Sequence, residues 1–193
     1  MPPKQRFTRE MILQTAIDII DRDGIEGLSH RSIAAELKCS TQPVMSNFKT
    51  MDEVRFAARQ SIDRDFTDYV LGGMREHPYA MDGALLAYIQ YAIDHPNRFL
   101  FLVLDSRIKS HGPLLLATAD PTPMLEDLAS SAQLKEEGLR QLYRSCWLYA
   151  HGVAAANATG TYPHTMEELK PMLSTAIWGM IGELKKRGFG KEA

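Results

Sequence analysis

Between Cys39 and Phe48, the residues Thr41, Gln42, Ser46 and Asn47 set two hydroxyls and two carboxamides around the apolar pair Val44 and Phe48. At helical spacing that pair, four residues apart, turns to one side and leaves the polar groups on the other. A carboxamide holds a donor and an acceptor, so Gln and Asn can pair bidentately with the edge of adenine. A Ser or Thr hydroxyl can serve either a base or a phosphate. The chemistry offered is recognition of a DNA groove. The plain alternative is a helical hairpin whose polar residues are only solvated.

A second constellation lies near Trp147 and His151, four residues apart and so on one helical face. His151 can be a polar anchor in a small-molecule pocket or a core histidine bonded to a neighbouring carbonyl. Phe66, Tyr88, Tyr91, Phe99, Phe101, Tyr143 and Tyr149 supply apolar lining or, at helical spacing, plain core. Cys146 and His151 are five apart and point to different sides of a helix, which argues against a nucleophilic dyad. A Gly-rich phosphate loop, His-Glu-x-x-His and Gly-x-Ser-x-Gly are all absent. Cys39 and Cys146 are too distant for a zinc spacing and too few for a disulfide framework. The expectation is a non-enzymatic protein without a cofactor or metal, in a reducing, cytoplasmic setting.

These residues need helices to hold them, and the chain reads as helix after helix without a convincing period-2 strand. Its 193 residues, 45% of them apolar, suffice to bury a core. The longest apolar run, Phe99 to Leu104, is too short to span a membrane, and the basic start lacks the apolar stretch of a secretory signal. A first helix is expected over 8–22, with Ile12, Ala16, Ile19 and Ile20 on one stripe and a stop at Gly24. Ser29 suits the cap of a short second helix carrying Ile33, Ala34 and Leu37. A third starts after Ser40, with Pro43 tolerated in its first turn. Thr50-Met51-Asp52-Glu53 reads as a capping box opening a long fourth helix, ending near the glycines at 72 and 73 or at Arg75. About five more follow, near 81–94, 97–108, 124–132, 135–158 and 166–188. Residues 111–123 are expected to be partly irregular, and Pro171 to kink or restart the last helix.

The net charge of −2 does not mark a nucleic-acid binder, but its distribution is uneven. Residues 1–9 hold Lys4, Arg6 and Arg9 without an acid, and residues 27–50 hold Arg31, Lys38 and Lys49 against Glu36 alone. Local positive potential attracts phosphate whatever the total. Two short helices joined by a tight turn form a helix-turn-helix, whose second helix enters the major groove.

Residues 8–55 resemble the DNA-binding domain of the tetracycline-repressor (TetR) family. The resemblance rests on the helix ending in Asp23-Gly24, on Ser29 with Ile33-Ala34, on the stretch from Cys39 through Phe48, and on Asp52-Glu53-Val54. His95-Pro96 before Phe99-Leu100-Phe101, and Trp147 with His151-Gly152, are similar to motifs of one subgroup's ligand domain. Three positions depart from the family: Met45 replaces a usual Tyr, Met51 a usual Lys, and Lys38 a frequent Gly. The resemblance implies an all-α protein of about nine helices. A three-helix DNA-binding domain (1–52) is joined through the long fourth helix to a ligand-binding and dimerisation bundle (53–193).

The expected function is a homodimeric, ligand-responsive regulator, a repressor released from a pseudo-palindromic duplex operator by a small apolar or aromatic molecule. The expected DNA-binding residues are Arg6, Ser29, Arg31, Lys38, Ser40, Thr41, Gln42, Pro43, Ser46, Asn47 and Lys49. The expected effector lining is Phe66, Tyr88, Phe101, Trp147 and His151. Small residues from Gly152 to Ala158 and at Gly179 and Gly182 point to dimerisation through the last two helices. The rival is a helical binding or scaffold protein of the same fold that has lost its operator.

Overall fold

Ile12, Ala16, Ile19 and Ile20 are all fully buried by the first helix, α1 (Arg9–Asp23). The structure, a computed structural model, describes residues 7–104 and 119–191. Thr8 caps α1 by accepting from the Met11 amide at 3.2 Å, and Gly24, with φ 72°, ends it. After a single 3-10 turn come α2 (His30–Glu36), α3 (Thr41–Asn47), α4 (Met51–Glu76), α5 (Ala80–Asp94) and α6 (Pro96–Leu104). Then follow α7 (Thr122–Ala132), α8 (Glu136–Ala158) and α9 (Met166–Leu184). Among the described residues no strand forms beyond one isolated bridge, Leu134 to Gly190.

The described chain divides into two compact units, residues 7–65 with 95–104, and residues 66–94 with 119–191. In the first, α1, α2 and α3 pack together, and α6 packs on α1. The buried side chains of this unit include Ile33, Val44, Phe48, Phe99 and, from α4, Ile62. The start of α6 is fastened to the end of α1 by polar groups. Asn97 donates to the Asp21 carbonyl at 2.8 Å, Arg98 donates to the Asp21 carboxylate at 3.0 Å, and His95 Nδ1 lies 3.5 Å from the same carboxylate.

In the second unit α5 packs against α7 and α8, and α8 against α9. Gly73 does not end α4. A Cβ there would sit 2.4 Å from that of Ala87, and one on Gly83 would sit 2.3 Å from the Gly73 carbonyl, so the two glycines let α4 and α5 touch backbone to backbone. Asp127 of α7 accepts from the Met81 amide at 3.1 Å and so satisfies a free donor at the start of α5. The chain after α9 returns to the α7–α8 turn, where Lys135 donates to the Phe189 carbonyl and Lys191 to that of Gln133.

At Pro171, where a kink or a restart is expected, α9 runs on without a restart. Pro171 is exposed in the second turn, so its missing donor falls on the solvent side. Leu169, Leu173, Ile177, Ile181 and Leu184 form an unbroken buried stripe that holds the helix through it. Its start is a capping box: Thr165 accepts from the Glu168 amide, and the Glu168 carboxylate accepts from that of Thr165. Those two donors from Thr165, backbone and hydroxyl, hold the Glu168 carboxyl below its usual range. After Leu184 the α-helix passes directly into one π-helical turn, Lys185–Phe189, and helical geometry ends at Gly188, with φ 86°, near the expected end. The end of the sixth expected helix, beyond Leu104, and most of the expected irregular stretch at 111–123 lie outside the described residues.

Candidate nucleic-acid interface

Ile33 and Ala34 on α2, with Val44 and Phe48 on and just after α3, are buried; they fix the two short helices against α1. Ser29 caps α2 reciprocally with Ser32, accepting from its amide at 3.0 Å while the Ser32 hydroxyl accepts from the Ser29 amide at 2.9 Å. Ser29 is therefore half-buried and structurally committed.

The turn after α2 closes with Lys38 donating to the Ala35 carbonyl at 3.1 Å and Cys39 to that of Ala34 at 2.9 Å. That paired pattern is a Schellman closure, which requires a left-handed residue. Lys38 fills that place at φ 51°.

Beyond the turn, α3 presents Ser40, Gln42, Met45 and Ser46 to solvent, with Thr41, Pro43 and Asn47 half-buried. Pro43 sits in the first turn, where its missing donor costs no helical bond. Ser46 donates its hydroxyl hydrogen to the Gln42 carbonyl at 2.8 Å and keeps its lone pairs for an outside donor. The Gln42 carboxamide makes no bond with the described residues. Arg31, Lys38 and Lys49 are exposed and pair with no described carboxylate. The cluster thus combines an unoccupied carboxamide, hydroxyl acceptors and three cations available to an anionic partner. Arg6 lies outside the described residues.

Asn47 is in a different position from Gln42. Its Nδ2 donates to the Pro43 carbonyl at 2.9 Å and to that of Phe7 at 3.4 Å. Its backbone carbonyl receives Arg9 at 2.6 Å, and the Arg9 guanidinium lies 3.8 Å over the Phe48 ring. Arg9 and Asn47 together brace the end of α3. Arg9 is absent from the sequence-based site, because its partners are 38 residues away and no local spacing announces them. Glu53 is also placed differently from a full capping box. Its amide donates to Thr50, but its carboxylate accepts from the Lys49 amide at 2.9 Å.

The expected effector lining is partly assembled in the second unit. Phe66 packs edge-on to Tyr88 with centroids 5.3 Å apart, and Tyr88 edge-on to Trp147 at 5.4 Å. Tyr88 Oη lies 2.8 Å from His151 Nδ1. Burial holds the Tyr88 phenol above its ordinary range, so it stays protonated. Phe101 is buried in the first unit. The neighbouring Cys146 thiol is pushed up to about 12, chiefly by burial, and is inert at neutral pH. An open charged trough of about 740 Å³ runs past Lys135, Arg140 and Arg144; its described lining belongs to the start of α8 and the residue before it.

On the outer side of α8 and α9 an apolar groove of about 330 Å³ lies between Leu148, Gly152, Val153, Tyr162, Leu169 and Met172. Leu148 is 74% exposed and Trp178 60%. A Cβ added at Gly152, Gly179 or Gly182 would meet nothing.

No protein-family profile and no curated protein matches the chain. Solved structures do. A TetR-like transcriptional regulator from Rhodococcus sp. RHA1 is 16% identical with a TM-score of 0.64, over 88% of this chain and 93% of that one. A protein of unknown function from the same organism is 16% identical with a TM-score of 0.69, over 99% and 100%. The multidrug binding protein EbrR, solved in complex with malachite green, is 18% identical with a TM-score of 0.51, over 87% and 96%. Among the described residues no helix is long and apolar enough to cross a membrane. The chain therefore has the fold of the TetR-like transcriptional regulators.

Proposed function

We propose that this chain is a homodimeric, ligand-responsive transcriptional regulator of the TetR family, a repressor that binds a pseudo-palindromic operator through residues 1–52. The observation that carries the DNA-binding role is the outer face of the helix-turn-helix. Among the described residues the Gln42 carboxamide there is unbonded, beside Thr41 and Ser46, and the flanking cations Arg31, Lys38 and Lys49 pair with no carboxylate. Such a face supplies base-reading groups together with phosphate contacts.

The test is a gel-shift with the DNA upstream of the chain's own gene, repeated across salt. Each phosphate contact should lower log K by about 0.9 per log unit of salt. Binding without sequence preference, or none, would reject the operator and favour a scaffold that keeps the fold alone.

Dimerisation is assigned to the outer faces of α8 and α9. An exposed Leu148 and Trp178 beside open glycines is costly for a monomer and suits close helix approach by a second copy. A two-fold dimer would set its recognition helices about 34–36 Å apart, to meet half-sites one turn apart. The effector is assigned to the Tyr88–His151 pair and its aromatic neighbours, Phe66 and Trp147. A mostly apolar lining with one polar anchor fits a flat, weakly polar molecule. The structural likeness to EbrR in its complex with malachite green supports a small-molecule effector. Such a ligand releases DNA only if it prefers the DNA-free state, and DNA must then weaken its binding by the same factor.

A further inference from the structure

We infer that Met45 reads a thymine methyl group in the major groove, beside the base read by Gln42; this rests on the proposed DNA-binding role of α3. Met45 is 48% exposed, although Val44 before it and Phe48 after it are fully buried. It lies three residues after Gln42 and four after Thr41, so it shares their outward face. A single exposed apolar residue needs no explanation by itself. Its neighbours narrow what this one does.

Asn47 has both amide hydrogens engaged, with the carbonyls of Pro43 and Phe7. It cannot offer the donor–acceptor pair that adenine requires. The Ser46 hydroxyl has already given its hydrogen to Gln42. Outward readout by α3 is left to Gln42 and Thr41, to the hydroxyl of Ser40 at its cap, to the lone pairs of Ser46, and to the Met45 thioether, the one apolar group among them.

Of the groups on the major-groove edges, the thymine 5-methyl is the apolar one. An unbranched, polarisable Met side chain adapts readily to such a contact. The spacing agrees as well. Three residues of α-helix advance about 4.5 Å, against about 3.4 Å between successive bases of a strand. Gln42 and Met45 therefore address neighbouring base steps.

The experiment starts with the full chain and a pool of randomised duplexes, from which the preferred duplex is selected. Each thymine of that duplex is then replaced singly by deoxyuridine, which lacks only the methyl. Affinities of the wild type, Met45→Ala and Gln42→Ala are measured by fluorescence anisotropy. At one thymine in each half-site the wild type should lose about four-fold, the worth of one buried methyl-sized group. Met45→Ala should lose affinity on the thymine duplex and no longer distinguish thymine from uracil there. Gln42→Ala should keep that discrimination. Because Met45 is exposed, its variant is expected to unfold at the wild-type temperature, and thermal unfolding verifies this. A wild type indifferent to every replacement, or a Met45→Ala chain that still prefers the methyl, overturns the inference while leaving DNA binding intact. A pool from which no duplex is enriched overturns both.

Discussion

Replacing Lys38 by Gly should make the protein more stable and its DNA complex weaker. Lys38 sits at φ 51°, where a side chain costs about 1–2 kcal/mol because Cβ crowds the following carbonyl. The Schellman bonds of Lys38 and Cys39 at 3.1 and 2.9 Å hold it there. Gly removes the crowding but gives the unfolded chain about 0.4–1 kcal/mol of extra entropy. The balance is a gain of about 0.5–1 kcal/mol, or about 1–4 °C in Tm for a chain of this size. The same substitution deletes an exposed cation beside α3. One phosphate contact fewer flattens the salt dependence by about 0.9, so a four-fold rise in salt weakens the variant about 3.5-fold less than the wild type. Lys38→Ala separates the two effects, since it loses the charge and keeps the strain. Calorimetry and salt-varied anisotropy on the wild type and both variants decide the matter. A Lys38→Gly chain that melts below the wild type refutes the left-handed strain, and an unchanged salt slope refutes the phosphate contact.

Gln42→Ala should cost about 1–3 kcal/mol of operator binding and relax discrimination at one base pair, read by competition with single-site operator variants. Asn47→Ala should instead weaken binding evenly on all sequences and lower Tm, because its amide braces α3 from within. Asp21→Ala leaves the largely buried Arg98 guanidinium without its carboxylate, and thermal unfolding should show a loss of about 1–3 kcal/mol. Gly179→Glu or Ala155→Glu should give monomers by sedimentation where the wild type is a dimer; a wild type already monomeric at micromolar concentration rejects that interface. A bound effector should quench the fluorescence of Trp178→Phe but not of Trp147→Phe, since Trp147 lies against Tyr88 and Trp178 is exposed.

The parts of the fold legible in the sequence are those set by local physics. The buried stripe of α1, the Ser29 and Thr165 caps and the Gly24 stop each depend on residues within one or two turns. The parts that were not legible depend on partners far along the chain. Gly73 reads as punctuation when seen alone, and only the approach of Gly83 and Ala87 makes it a packing site inside a continuous helix. Pro171 reads as a kink or a restart, and the buried stripe on the other side of α9 holds the helix through it without a restart.

The interface divides along the same line. Composition placed Gln42 and Asn47 side by side as equivalent carboxamides on one short helix. Structure separates them, because Asn47 is within reach of the Phe7 carbonyl and Gln42 is not bonded to any described residue. Met45 moved in the opposite direction. In the sequence it is only a departure from the Tyr usual in the family that residues 8–55 resemble; with Asn47 turned inward, it is the apolar member of the outward face. A helix of seven residues has few outward positions, so each one taken for bracing raises the share of specificity carried by the rest. Operator preference in this chain should accordingly be narrow around the bases facing Gln42 and Met45. It should be degenerate at the position that Asn47 would have read.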